Sequence, residues 1–361
     1  MQWSTEQDDA LKAVDRWMKA GDSQIFRLFG FAGAGKTTLA RHLAEHADGD
    51  VAFAAFTGKA AHVMRQKGCI GATTIHSLIY RPASGEGEEE PMFTIRRDAP
   101  ASEADIIIID ECSMVDEELG RDLLSFGKPV LVLGDPAQLP PVKGGGFFTD
   151  VPPDFMLTEI HRQAADNPII RLSMAIRENE DFDEQSSACR VISKRDISTE
   201  QIMEADQILV GSNKTRKRYN DRLRELHGHT EDTPESGEKL VCLRNNKKKG
   251  LLNGSIWTVD RRMSPRGGRV RFSIRPEEGG KAVTASTPRA FFLDGPDTVP
   301  WNQRKGADEF DYGYALTVHK AQGSQWNHVV LFDESYMFRE HSRRWLYTGV
   351  TRAAESLILV R

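Results

Sequence analysis

Residues 25 to 45 constrain this chain more than any other stretch. Ile25-Phe26-Arg27-Leu28-Phe29 is short, apolar and aromatic, the composition of a strand. Gly30-Phe31-Ala32-Gly33-Ala34-Gly35-Lys36-Thr37 follows and spells G-x-x-x-x-G-K-T, a complete Walker A loop. Thr38 to Glu45 then reads as the start of a helix. A strand, a glycine turn and a helix in that order call for an α/β layer with a buried sheet. Glycines let the loop curl with its N–H groups inward, and the helix N-terminus adds partial positive charge. Gly30, Gly33, Ala34, Gly35, Lys36, Thr37 and Thr38 are therefore expected around the phosphates of a nucleoside triphosphate. Lys36 is expected to reach the β- and γ-phosphates, and the Thr37 hydroxyl to ligate Mg²⁺.

A second segment supplies the partner. Ile106-Ile107-Ile108-Ile109 suits a strand covered on both faces, as in a parallel sheet between helices. Asp110 and Glu111 then fall at its carboxyl end, where open α/β sheets place their ligands. Asp110 is the expected Mg²⁺ partner through water, and Glu111 the expected base for an attacking water. Val130-Leu131-Val132-Leu133 reads as another buried strand, followed by Gly134-Asp135-Pro136-Ala137-Gln138. The Gln138 amide both donates and accepts, so it can sense a γ-phosphate.

The other motifs narrow the choice. The string from Gly134 to Val142 resembles motif III of the superfamily-one helicases, and Asp110 to Met114 resembles their motif II in the RecD-like branch. Phe56-Thr57-Gly58-Lys59-Ala60-Ala61 is similar to motif Ia, and Thr74-Ile75-His76-Ser77 to the element beside it. In the second half, Leu157 to Gln163 resembles motif IV, Tyr314 to Gln325 motif V, and Leu346 to Ala353 motif VI. The matches run in the family's order from residue 3 to residue 355. The chain thus resembles the RecD-like and Dda-like superfamily-one DNA helicases, the 5′→3′ branch.

That resemblance implies an α/β fold of two RecA-like P-loop domains with parallel sheets, with ATP and Mg²⁺ in the cleft between them. It implies that Gln7 reads adenine, that Gly323 lies near the nucleotide, and that Arg162 and Arg352 act as arginine fingers. Such arginines raise hydrolysis by about 10³–10⁵. It implies single-stranded DNA and forked or tailed duplex DNA as partners. Thr57, Lys59, Thr74 and His76 would contact the track from the first domain, and Asn213, Thr317, His319 and Lys320 from the second. Single strands are held by phosphate contacts and base stacking more than by base-edge reading.

Segmentation follows from composition. Residues 1–78 and 103–150 are expected to form the first RecA-like domain, and 151–238 with 308–361 the second. Between the parts of the first lies a polar stretch, 79–102, with an acidic run and the alternating Met92-Phe93-Thr94-Ile95. It suits a small hairpin matching the family's strand-separating pin, with Phe93 as either a base-stacking aromatic or an anchor. Residues 239–307 hold short β-like segments between Gly-rich turns, expected as a small inserted SH3-like β-barrel. Lys239 to Arg275 carries eleven Lys/Arg against one Asp, within a chain of net charge −5. That stretch is read as a nucleic-acid face or simply as a solvated loop.

Composition bounds the rest. The 361 residues suffice for two domains. No apolar run reaches the roughly 18 residues of a membrane span, and the polar, acidic N-terminus does not resemble a secretory signal. Four scattered cysteines, Cys69, Cys112, Cys189 and Cys242, show no metal or disulfide spacing and fit a reducing cytoplasm. A monomeric motor is expected, with any protein partner unreadable. No 2′-OH reader is identifiable, so single-stranded RNA stays open as the track. A nucleotide-switched binding module and a helicase-like subunit needing a partner also stay open.

Overall fold

The structure, a computed structural model, describes residues 3–47, 49–82, 93–141, 144–159, 166–277 and 279–361. The chain divides into two units. The first comprises the described residues of Met1–Glu86, Pro91–Glu184 and Glu340–Thr351; the second those of Gly87–Glu90, Gln185–Arg339 and Arg352–Arg361.

The first unit is built on β1 (Ile25–Gly30), β2 (Val51–Ala55), β3 (Thr73–Thr74), β6 (Ile106–Asp110), β7 (Val130–Gly134) and β8 (Phe155–Leu157). These form one sheet in the order β3-β2-β6-β7-β1-β8, with every pairing parallel. The isoleucine run shows why it is covered on both faces. Ile106 and Ile108 enter one core with Phe26, Leu28 and Leu39, while Ile107 and Ile109 enter the other with Phe29, Ile75 and Leu119. Alternation along a strand sends successive side chains to opposite faces, so only an all-apolar run satisfies both. The helix Thr5–Ala20 lays Ala10, Val14 and Trp17 on the first of these cores. β4 (Tyr80–Pro82) and β5 (Phe93–Ile95) pair antiparallel as a separate two-stranded ribbon, as a hairpin between 79 and 102 requires.

The second unit holds β9 (Cys189–Ile192), β10 (Gln207–Val210), β16 (Ala315–Thr317), β17 (Trp326–Phe332) and β18 (Ala353–Val360) in the order β16-β10-β17-β18-β9, again all parallel. Helix Asn213–Leu226 packs Tyr219, Leu223 and Leu226 on this sheet. A second sheet in the same unit is antiparallel. It runs β14 (Val283–Pro288), β13 (Arg269–Pro276), β12 (Ile256–Arg266), β11 (Lys239–Cys242) and β15 (Phe310–Tyr312) around a core of Trp257, Phe272, Ile274 and Phe310. Its two outer strands meet at Asp308: the Asp308 N–H donates to the Ser286 carbonyl at 2.9 Å, and the Ser286 N–H donates to the Asp308 carboxylate at 3.0 Å.

Three segment limits differ from the expected ones. The first sheet continues past residue 150, because β8 pairs with β1 through Leu28↔Phe155. The small sheet continues past 307, because β15 pairs with β11 through Val241↔Asp311. Helix Ser342–Val350 groups with the first unit although strands of the second unit precede and follow it. Composition marks turns well but carries no sign of which sheet a three-residue strand will join. Among the described residues no helix is long and apolar enough to cross a membrane, and all four cysteines are free and buried.

Candidate nucleotide site and track-facing edges

Parallel pairing puts the carboxyl ends of β6, β7 and β1, three neighbours in the sheet, on one edge. The Walker loop, the Asp110-Glu111 pair and the Gln138 turn leave from those ends and converge there. Gly33 and Gly35 hold φ of 84° and 81°. This left-handed conformation costs an L side chain about 1–2 kcal/mol, so glycine is what lets the loop close. At Gly30 the limit is space: a Cβ would stand 2.8 Å from that of Leu157. Helix Lys36–Glu45 then starts from Gly35, whose carbonyl accepts the Thr38 and Leu39 N–H groups at 3.0 Å.

Within the loop, the Lys36 ammonium donates to the carbonyls of Gly30 at 2.6 Å and Phe31 at 3.0 Å. The Thr37 hydroxyl donates to the Asp110 carboxylate at 2.8 Å, joining residues 73 positions apart. The other Asp110 oxygen accepts the Glu111 N–H at 2.8 Å. Glu111 itself adopts φ 55°, ψ 49°. A non-glycine residue there carries strain of about 1–3 kcal/mol, which clusters at functional sites. It turns the chain sharply as it leaves the strand. Thr37 and Asp110 together offer hard oxygen donors of the kind Mg²⁺ prefers.

Gln138 sits in the turn after β7. Asp135 shapes that turn, its carboxylate accepting the Ala137 N–H and its carbonyl accepting the Gln138 N–H. Gln138 is buried, and its Oε1 has no hydrogen-bond partner among the described residues. A buried amide oxygen of this kind is matched by a donor such as the O–H of a bound water, while the amide N–H₂ is left to donate to a phosphate. Gln7, also buried, caps its helix against Ser4 and donates to the Ala34 carbonyl in the Walker loop at 3.2 Å.

Motif reading assigned no role to two further residues at this loop. The Tyr347 hydroxyl accepts the Ala32 N–H at 3.2 Å and donates to Asp135 at 2.6 Å, tying the phosphate loop to the Gln138 turn. Burial, reinforced by Asp135, holds its pKa far above that of free tyrosine. Arg177 lies with its guanidinium carbon 3.5 Å from the centre of the Phe31 ring. Only a long-range packing pattern could have signalled either, since 315 residues separate Tyr347 from Ala32.

The expected track residues occupy the carboxyl edges of their sheets. Thr57 caps helix Gly58–Gln66, which carries Lys59; Thr74 caps helix Ile75–Ile79, which carries His76. Burial lowers the His76 pKa below its ordinary 6.5, so the ring is neutral at pH 7. In the second unit, Asn213 opens its helix, and the Thr317 hydroxyl accepts the Lys320 N–H at 3.3 Å. His319 packs on Phe338 with ring centres 5.3 Å apart. Lys320 is turned inward: its ammonium donates to Asn253 at 2.5 Å, and burial lowers its pKa. Gly323 takes φ 73° in the turn that follows. Arg352 is buried and donates to the Ser324 carbonyl at 3.2 Å. Arg162 and the Phe93 side chain lie outside the described residues.

Part of the basic stretch is paired with acidic side chains. Lys239 pairs with Glu277, Arg244 with Glu309, Lys249 with Asp308, Arg262 with Glu231 and Arg275 with Asp260. Of the tryptophans, Trp257, Trp326 and Trp345 are buried, and Trp301 lies under Arg244 at 4.7 Å.

Comparison with known proteins bears on the family and the fold. The ATP-dependent RecD2 DNA helicase of Deinococcus radiodurans is 28% identical over 91% of this chain and 46% of its own length. The conjugal transfer protein TraA of Rhizobium radiobacter is 24% identical over 99% of this chain and 32% of its own. The chain thus spans less than half the length of these relatives. Among solved structures, a Pif1 helicase studied at forked double-stranded DNA aligns with a TM-score of 0.63 at 19% identity, covering 99% of this chain and 92% of that one. Pif1 from Bacteroides with ADP-AlF3 and single-stranded DNA aligns at 0.60 with the same identity and coverage. Residues 312–360 match the UvrD-like helicase C-terminal domain. Residues 2–195, more than half of the chain, match the family described as an AAA domain. On that match the chain belongs to this AAA-domain family, and its motif order is similar to that of the superfamily-one RecD- and Pif1-like helicases.

Proposed function

We propose that this chain is an ATP-dependent DNA helicase that moves 5′→3′ along single-stranded DNA and separates duplex ahead of it. The observation that carries the reading is the 2.8 Å contact between Thr37 and Asp110, beside the left-handed turn that sets Glu111 at the end of β6. Thr37 and Asp110 are the residues to hold Mg²⁺, which when bound supplies charge neutralisation for the phosphates. Gln7 recognises the base. Gly30, Gly33, Ala34, Gly35, Thr38 and Gly323 line the nucleotide, and Lys36 holds its terminal phosphates. Glu111 orients and deprotonates water, Gln138 senses the γ-phosphate, and Arg162 and Arg352 supply positive charge to it.

Single-stranded DNA is proposed to run along the carboxyl edges of the two parallel sheets. Thr57, Lys59, Thr74 and His76 contact it from one, and Asn213, Thr317, His319 and Lys320 from the other. The β4–β5 ribbon, with Phe93, serves as the pin that parts the strands, and the antiparallel sheet as an SH3-like module. The relatives support this reading, being described as a DNA helicase and as Pif1 helicases bound to single-stranded or forked DNA. A monomer in the cytoplasm suits four reduced, buried cysteines.

The test is steady-state ATP hydrolysis without nucleic acid, with single-stranded DNA, and with RNA of matched sequence. DNA is expected to stimulate most, and a duplex with a 5′ tail to be unwound faster than one with a 3′ tail. Greater stimulation by RNA overturns the choice of track. No stimulation by either overturns the motor.

A further inference from the structure

We propose that Arg177 is a nucleotide-binding residue that donates to the terminal phosphate of the bound triphosphate. The proposal rests on the nucleotide site described above and adds a contact that no motif supplies. Arg177 lies in the last turn of the helix Pro168–Glu178, which belongs to the same unit as the Walker loop. Its side chain is only 18% exposed. One terminal nitrogen is accounted for, pairing with Glu178 at 2.6 Å. The other, Nη1, is buried and has no hydrogen-bond partner among the described residues. A permanently charged guanidinium left with a buried, unmatched N–H is costly, and its fork geometry is suited to phosphate.

Its position selects the terminal phosphate over the base. The guanidinium stacks on the ring of Phe31 at 3.5 Å, while the Lys36 ammonium bonds the Phe31 carbonyl at 3.0 Å. Two cations therefore flank one loop residue. Tyr347, whose hydroxyl joins the next residue, Ala32, to Asp135, ties this end of the loop to the Gln138 turn. Arg177 therefore packs at the end of the loop that carries this tie, and it is there that the γ-phosphate contact is proposed. Gln7 instead bonds the carbonyl of Ala34, further along the loop. A contact of this kind makes the site distinguish triphosphate from diphosphate before any hydrolysis occurs.

The experiment titrates fluorescent ATP and ADP analogues, with Mg²⁺, onto the full chain and its Arg177→Ala and Arg177→Lys variants. Arg177→Ala is expected to weaken ATP binding about tenfold or more while ADP binding changes less than twofold. Arg177→Lys, keeping charge but losing the fork, is expected to fall between. The readout is the ratio of ATP to ADP affinity, which loss of packing against Phe31 would not move selectively. Equal weakening of both nucleotides makes Arg177 a packing residue and overturns the proposal, as does unchanged affinity for both. If Arg177→Ala does not fold, the ratio measured on Arg177→Lys decides. Failure of the unaltered chain to bind ATP sinks the nucleotide site itself, an outcome distinct from wild-type binding with an unchanged ratio in the variants.

Discussion

The two units each send a central parallel strand into a helix, and they treat the helix N-terminus in opposite ways. In the first, β1 passes through glycines at φ 84° and 81° into helix Lys36–Glu45, which has a cation and no acidic residue in its own first turn, with the Asp110 carboxylate accepting the Thr37 hydroxyl beside it. In the second, β10 passes through Gly211 and Ser212 into helix Asn213–Leu226, and Glu334 fills the N-terminus. Its carboxylate accepts the Gly211 N–H at 2.6 Å, the Ser212 N–H at 3.2 Å and the Thr215 hydroxyl at 2.7 Å. A helix N-terminus attracts anions wherever it occurs. One unit leaves that attraction to a ligand, while the other satisfies it from its own chain. Two similar sheets therefore differ in which helix N-terminus is left open to an anion.

Breaking the open junction is expected to have the largest effect. Lys36→Ala should remove turnover altogether in a steady-state ATPase assay; normal turnover would remove the Walker loop from the mechanism. Glu111→Gln should keep ATP bound while slowing hydrolysis by about 10²–10⁴, as read by single-turnover kinetics. Gly35→Ala forces a Cβ into the left-handed region at a local cost of about 1–2 kcal/mol, and should weaken ATP binding about tenfold in a titration. At the closed junction, Glu334→Ala should leave hydrolysis near wild type and lower the second unit's stability by about 1–3 kcal/mol through orphaned N–H groups, as measured by chemical denaturation. A second bound nucleotide per chain in that variant would show that Glu334 was all that separated the two junctions.

A smaller effect concerns pH. Burial depresses the His76 pKa in the first unit and the His227 pKa in the second. For each, the unfolded chain takes up a proton near 6.5 while the folded chain resists, so stability is full above that value and falls as pH drops toward the folded pKa. His76→Asn should flatten the acid-side fall in melting temperature for the first unit only. An unchanged slope would mean that His76 accepts its proton without loss of packing.

The contrast also shows what can be read from a sequence. The open junction was legible in full, since Gly33, Gly35, Lys36 and Thr37 are local in sequence and each has one physical reason to be there. The isoleucine run was equally plain, because two covered faces leave no room for a polar residue. The closed junction was not legible: Glu334 lies 123 residues from Gly211, and a lone glutamate has many uses. Tyr347 and Arg177 were missed for the same reason. The limits near 150 and 307 failed because β8 and β15 are three-residue strands whose sheet is chosen by packing. For the basic stretch the composition was plain, but Glu231, Glu277, Asp308 and Glu309, which pair with part of it, were not visible as its partners.

Helix Ser342–Val350 gives the first unit an odd history of assembly. It reaches the Walker loop through Tyr347, yet it is made some 300 residues after that loop. Domains emerging from a ribosome generally fold as their residues appear. Here the early sheet can form, but its phosphate loop lacks the clasp to Asp135 until residue 347 has been added. A nascent chain stopped before that point would carry every nucleotide motif of its first half with Ala32 not yet tied to Asp135. Synthesis of the second unit and completion of the phosphate loop's contacts are thereby tied to the same late event.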